Sequence, residues 1–161
     1  MQSLLLPAPM PPIRSAPSTL LLAEHDAHDR GQPFVDVGHL LVAAVSECAV
    51  HRRFRAVLDA HLVSVTALRA SLPSNSYRAS FATYDTDAGI VCTPAAMRVL
   101  ARSMRHAATA SVVAVQPQHV LLALLDGVDD PALGDAHLRL ESVGADVRRL
   151  RRALRRATRR A

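Results

Sequence analysis

The stretch APSTLLLAEHDAHDRGQPFVDVGHLLVAAV, residues 16–45, aligns without a gap to AMRVLARSMRHAATASVVAVQPQHVLLALL, residues 96–125, at an offset of 80. Ala16/Ala96, Leu20/Leu100, Ala27/Ala107, Val35/Val115, His39/His119, Leu41/Leu121 and Ala43/Ala123 are identical. Leu40/Val120, Val42/Leu122 and Val45/Leu125 are like for like. After an indel the offset becomes 82, and VTALRASL (65–72) meets VRRLRRAL (147–154) as V-x-x-L-R-x-x-L. The chain is an internal duplication, and a duplicated unit sets the architecture before any single element is read.

A chain of 161 residues fits one compact domain or two tightly joined halves. Half of it is hydrophobic, but only 3% is aromatic and Trp is absent. The core is therefore built from Leu, Val and Ala, which suits close helices. Aromatic platforms for stacking bases or sugars are not available in number. Every basic residue is Arg, and eight of them crowd residues 148–160, leaving 11 Arg against 14 acidic groups elsewhere. A net charge of +5 thus hides a body at −3 with a basic end. Two cysteines, Cys48 and Cys92, make no disulfide or metal framework and suit a reducing cytosol. The start, MQSLLLPAPMPP, lacks a basic region and is broken by prolines, so it reads poorly as a signal peptide. No run approaches the roughly 20 apolar residues that span a bilayer. The expectation is a cytoplasmic monomer with no membrane association.

Along the chain, residues 1–14 read as a Pro-rich flexible segment. A first helix opens at Ser15 or Ser18 and stops at Gly31 and Pro33. After the short extended PFVDV, Asp36 reads as an N-cap, with His39 three residues on and LLVAAV following. In the second copy Gln116 takes the cap position and Pro117 the first helical position, where a missing N–H costs nothing. Residues 50–61 and 64–72 read as two more helices. Residues 73–92 form the inter-repeat linker, rich in Pro, Gly, Ser, Asn and Asp. Thr93-Pro94 opens a helix over 94–110, and helices near 117–126, 131–142 and 145–158 complete the second copy. The reading is all-α: eight helices as two pseudo-symmetric four-helix repeats (15–72 and 93–157 within a domain over 15–157), with 158–161 the end of the basic tail.

TPAAMRVLARSMRHA, followed nine residues later by QPQHVLLALL, resembles the amino-terminal domain of Clp-type AAA+ unfoldases, especially the ClpC type. The first copy contributes LAEHDAHDRGQPFVDVGHLLVAAV, and VGADVRRLR closes the second. The resemblance covers roughly 12–157. It implies an all-α Clp-N domain that docks adaptors and substrates in front of the ATPase rings, recognises phosphorylated arginine in the ClpC type, and is bound there by cyclic peptide antibiotics. No G-x-x-x-x-G-K-[ST] occurs, so no Walker A loop is present. The expectation is a stand-alone Clp-N-like protein without ATPase modules.

The family's Glu that receives phosphoarginine corresponds to Gly38 and Gln118. A carboxylate grips a guanidinium through charge-assisted bidentate bonds, whereas Gly has no side chain and Gln only a neutral carbonyl. The aromatic that opens each family repeat corresponds to Pro12 and Cys92. These four positions, Pro12, Gly38, Cys92 and Gln118, are the candidate peptide- or partner-binding residues. Asp36, His39, Pro117 and His119 read as structural helix-start residues, with a switch role for the histidines as the sharper alternative. His25 and His28, with Glu24 and Asp26, read as a solvated helix face, because further ligands at metal spacing are missing.

In the tail, Val147, Leu150 and Leu154 dock while the arginines radiate outward. Arg151, Arg152, Arg155, Arg156, Arg159 and Arg160 are the candidate polyanion-binding set. No catalytic constellation, metal site or cofactor site is found. The reading is a non-catalytic binding module whose partners are a Clp unfoldase, its adaptors or its substrate proteins and peptides. It would serve as an accessory receptor or a decoy. Nucleic-acid binding through the Arg tail and scavenging of cyclic peptide antibiotics are the alternatives.

Overall fold

The computed structural model describes residues 18–72, 91–126 and 130–159. In chain order they form α1 (Ser18–Asp29), α2 (Val37–Val50), α3 (Arg52–Ala60), α4 (Val65–Ser71), α5 (Pro94–Thr109), α6 (Pro117–Leu125), a 3-10 turn (Pro131–Leu133), α7 (Gly134–Ser142) and α8 (Val147–Arg159). The fold is all-α, as the duplication requires. One isolated parallel bridge, Val35 to Cys92, is the extended pairing among the described residues. The expected Pro-rich segment and nearly all of the expected linker, residues 73–90, lie outside those residues.

Among the described residues four helices lie on each side of residues 73–90, and each set carries one helix with a buried apolar run. Leu40 to Val45 in α2 and Val120, Leu121 and Ala123–Leu125 in α6 are at most 1% exposed. A helix that is apolar all round belongs at a centre. Accordingly α2 and α6 lie against each other, with α1 over α2 and α5 over α6. The halves also interlock: α7 of the second copy rests on α2, and α3 of the first rests on α8. Equivalent residues sit in the same core, including Leu58/Leu140, Leu68/Leu150 and Leu72/Leu154, none more than 4% exposed.

Helix ends repeat as well. Ser64 and Asp146 are matched caps whose side chains accept from Ala67 N at 3.4 Å and Arg149 N at 2.9 Å. Thr93 caps α5, accepting from Ala96 N at 3.2 Å. The odd-numbered helices all finish in one motif. Gly31 N–H donates to His28 O and Gln32 N–H to Ala27 O, both at 2.9 Å. The same 5→2 and 6→1 pair recurs after α3 (Leu62, Val63), α5 (Ser111, Val112) and α7 (Gly144, Ala145). The motif needs a left-handed residue, and Gly31, Leu62, Ser111 and Gly144 have φ of 67°, 60°, 57° and 89°.

Candidate functional site

The starts of α2 and α6 are built alike. Asp36 N–H donates to His39 Nδ1 at 3.2 Å, and His39 N–H donates to Asp36 Oδ1 at 2.9 Å, a reciprocal capping box. In the second copy Gln116 N–H donates to His119 Nδ1 at 3.1 Å, with Pro117 at the first helical position. Both histidines are buried, at 3% and 1% exposure. Burial raises the Asp36 carboxyl, but the His39 hydrogen bonds outweigh it and hold the group below its usual 3.8. Burial pushes the His119 ring below 6.5, and the nearby His106 adds to this.

Gly38 and Gln118, the positions expected from the sequence to meet a partner, are filled from within. A Cβ at Gly38 would lie 2.7 Å from Leu72 Cδ2, 3.2 Å from Asp36 Oδ1 and 3.5 Å from Arg139 Nε. Arg139 reaches the Ser71 carbonyl and pairs with Asp135 at 2.7 Å, while Arg30 donates to the Arg69 carbonyl at 3.0 Å. Two arginines thus bond carbonyls at the end of α4: Arg139 takes that of Ser71, and Arg30 shares that of Arg69 with the Leu72 N–H. They hold Leu72 over Gly38. In the second copy Gln118 is 5% exposed, and its amide donates to Gln116 Oε1. Neither position presents an open carboxylate for a guanidinium.

Cys92 lies at the seam of the two copies. Val35 N–H donates to Val91 O at 2.8 Å and Thr93 N–H to Val35 O at 2.9 Å. Side chains alternate along such a pairing, so Val35 and Cys92 face inward while Phe34 and Val91 face out, at 43% and 55% exposure. Burial and then Glu24 raise the Cys92 thiol, and burial pushes Cys48 up to about 12. Neither thiol is poised as a nucleophile at neutral pH. Pro12 lies outside the described residues.

The arginines of α8 do not all radiate, which corrects the sequence expectation. Asp126, at the end of α6, gathers Arg155 at 2.8 Å, His106 at 2.9 Å and Arg151 at 3.6 Å. Its burial is outweighed by the hydrogen bonds from His106 and Arg155, so its carboxyl sits below 3.8. Arg151 and Arg155 are therefore committed to the fold, because a partly buried carboxylate needs their charge. Arg152, Arg156 and Arg159 are exposed, and Arg160 lies outside the described residues. A second correction concerns Asp26. It is not part of a solvated face: its side chain is 13% exposed and pairs with Arg30 at 3.0 Å and Arg69 at 3.5 Å. Arg139, Asp126 and the pair Phe34/Val91 escaped sequence reasoning, since each acts through a neighbour distant in the chain.

Among the described residues no group of three or more His, Cys, Asp or Glu is placed to hold a metal, and no helix is long and apolar enough to cross a membrane. Of solved structures, 21 chains match this one. One is the N-terminal domain of the caseinolytic-protease-associated chaperone ClpD from Arabidopsis thaliana, with a TM-score of 0.55 and 20% identity, covering 86% of this chain and 88% of that one. At that identity the likeness establishes the fold. No curated protein matches. The model of the Clp repeat N-terminal domain, a non-catalytic protein-interaction module of Clp unfoldases, matches residues 14–135, and the chain belongs to that family.

Proposed function

We propose that this chain is a non-catalytic protein-binding module of a Clp unfoldase–protease system. It engages adaptors or substrates as an accessory receptor, or withholds them as a decoy. The observation that carries the reading is the outward pair Phe34 and Val91, two exposed apolar side chains at the seam of the repeats. They stand beside Cys92, where the resembling family places its recognition aromatic. With Gly38 covered by Leu72 and Arg139, and Gln118 tied to Gln116, the seam is, among the described residues, the part of the expected recognition face that offers exposed apolar side chains to a partner. A guanidinium-directed pocket of the phosphoarginine kind is not proposed.

The test is a reconstituted degradation assay with the cognate unfoldase, its protease and an adaptor-dependent substrate. A receptor accelerates degradation and a decoy slows it. In either case Phe34→Ser with Val91→Ser removes the effect while leaving the helical circular dichroism spectrum intact. No effect on degradation, together with no co-purification of unfoldase, adaptor or substrate at physiological salt, overturns the reading.

A further inference from the structure

We propose that the outward face of α8, joined by Arg53 of α3, binds the phosphate backbone of duplex nucleic acid. Val147, Leu150, Leu154 and Ala157 are buried and fix which way α8 faces. Arg148, Arg152, Arg156 and Arg159 then fall on the opposite side, all exposed. The ion pairs of α8 are made instead by Arg149, Arg151 and Arg155. Asp146, at the foot of the row, interacts with Arg149 and Arg152, and Glu141 lines one pocket with Asp146 and Arg148. At 1.5 Å per residue the row from Arg148 to Arg159 is about 16 Å long.

The fold adds a charge that the tail alone does not supply. Arg53 lies in the other repeat, 104 residues away, yet its Nη1 donates to the Ala157 carbonyl at 3.4 Å. Ala157 adjoins Arg156 in the chain, so the exposed residue Arg53 adds its charge at the C-terminal end of α8. Four guanidinia along α8 and one beside its C-terminal end, on a chain whose remaining charges sum to zero, orient the molecule toward a polyanion. Arginine suits phosphate because its planar fork bonds two oxygens at once.

Three features select duplex backbone from other polyanions. The apolar side of α8 is spent in the core, with Leu150 and Leu154 at 0% exposure, so the helix has no face to sink into a bilayer. No aromatic residue lies on α8, and Phe54 of α3 is buried, so unpaired bases find no stacking surface here. A row of charges along one helix face matches a regular array of phosphates, and phosphate contacts carry no means of reading bases.

The experiment is fluorescence anisotropy of the full chain with a labelled 20-base-pair DNA duplex between 50 and 200 mM salt. Five phosphate contacts give a slope of log affinity against log salt of about −4.5, roughly a 500-fold loss across that range. Arg156→Glu and, on a different helix, Arg53→Glu each weaken binding about tenfold and flatten the slope by about 1. Arg105→Glu makes the same charge change on the exposed surface of α5 and weakens binding no more than about twofold. The proposal is overturned by absence of binding at 50 mM salt, by equal losses from Arg105→Glu and Arg156→Glu, or by polyglutamate or phosphatidylserine vesicles competing as well as duplex DNA.

Discussion

Replacing Ser111 by Gly should stabilise this protein, and replacing its counterpart Gly31 by Ser should destabilise it. Both residues end the first helix of a repeat in the left-handed region, at φ of 57° and 67°. Their hydrogen bonds correspond one for one. An L-residue in that region costs about 1–2 kcal/mol, from which the greater unfolded freedom of Gly takes back about 0.4–1. The Ser111 side chain is exposed, so its removal sacrifices no burial. The net gain for Ser111→Gly is about 0.5–1 kcal/mol, with Gly31→Ser losing a similar amount. For a chain of this size that moves the melting temperature by roughly 1–4 °C in opposite directions. Leu62, at φ of 60°, provides the internal control. It is 67% exposed, and the covered third of its side chain contributes about 0.5–1 kcal/mol that Leu62→Gly would forfeit. Leu62→Gly should therefore be nearly neutral. Urea titrations with a shared slope, or calorimetric melts, read all three. If Ser111→Gly is neutral while Leu62→Gly stabilises, left-handed strain is not what separates these turns, and the reasoning fails.

Four further outcomes follow from the site. Asp126→Asn removes the carboxylate shared by His106, Arg151 and Arg155 and should cost about 1–2 kcal/mol in urea unfolding, at the low end of what two charge-assisted bonds supply because Arg155 is 47% exposed. Asp36 and Asp126 are both held below 3.8 in the folded state, so their contribution is complete above that value and is lost as pH falls through the lower folded values. A melt series from pH 5 to pH 2.5 should show the loss, and Asp126→Asn should flatten it. The buried His119 ring is depressed below 6.5, so the unfolded chain binds its proton first and stability declines as pH drops below 6.5; His119→Asn should reduce that slope, and an unchanged slope would assign it elsewhere. Gly38→Ala gains about 0.5–1 kcal/mol of helix propensity but meets Leu72 Cδ2 at 2.7 Å, where overpacking costs about 1–3, so a net loss near 1 kcal/mol is expected by denaturant titration.

The scaffold was legible because its determinants are local or periodic. Asp36, Thr93 and Pro117 declare helix starts through their own chemistry, and the two apolar runs of α2 and α6 declare the centre. The left-handed turns were legible only by half. Gly31 marks its turn, but nothing in Ser111 or Leu62 does, since the geometry is imposed by the docking of the next helix. The duplication itself held the missing signal: position 111 is Gly31 plus 80, and position 62 is Gly144 minus 82. The filling of position 38 was not legible. It depends on Leu72, Arg139 and Arg30, which arrive from α4, α7 and α1 only once the repeats interlock.

The same interlocking explains why the copies diverge in charge while keeping their cores. In the first repeat the junction between the first and fourth helices is Asp26 with Arg69, 3.5 Å apart. In the second, the position of Asp26 is His106 and that of Arg69 is Arg151, two groups of like charge once the histidine is protonated. The junction then requires an acid from a third place, and Asp126 at the end of α6 supplies it to both. That solution draws Arg155 to the same carboxylate, while the buried Val147, Leu150, Leu154 and Ala157 set the rotation of α8 with its remaining arginines outward. The rebuilt junction thus takes Arg151 and Arg155 out of the outward set and leaves Arg148, Arg152, Arg156 and Arg159 as the exposed row. Loss of Asp126 should loosen the helix and free two more cations at once. A variant that melts earlier yet binds duplex DNA more tightly would separate this coupling from a simple loss of structure.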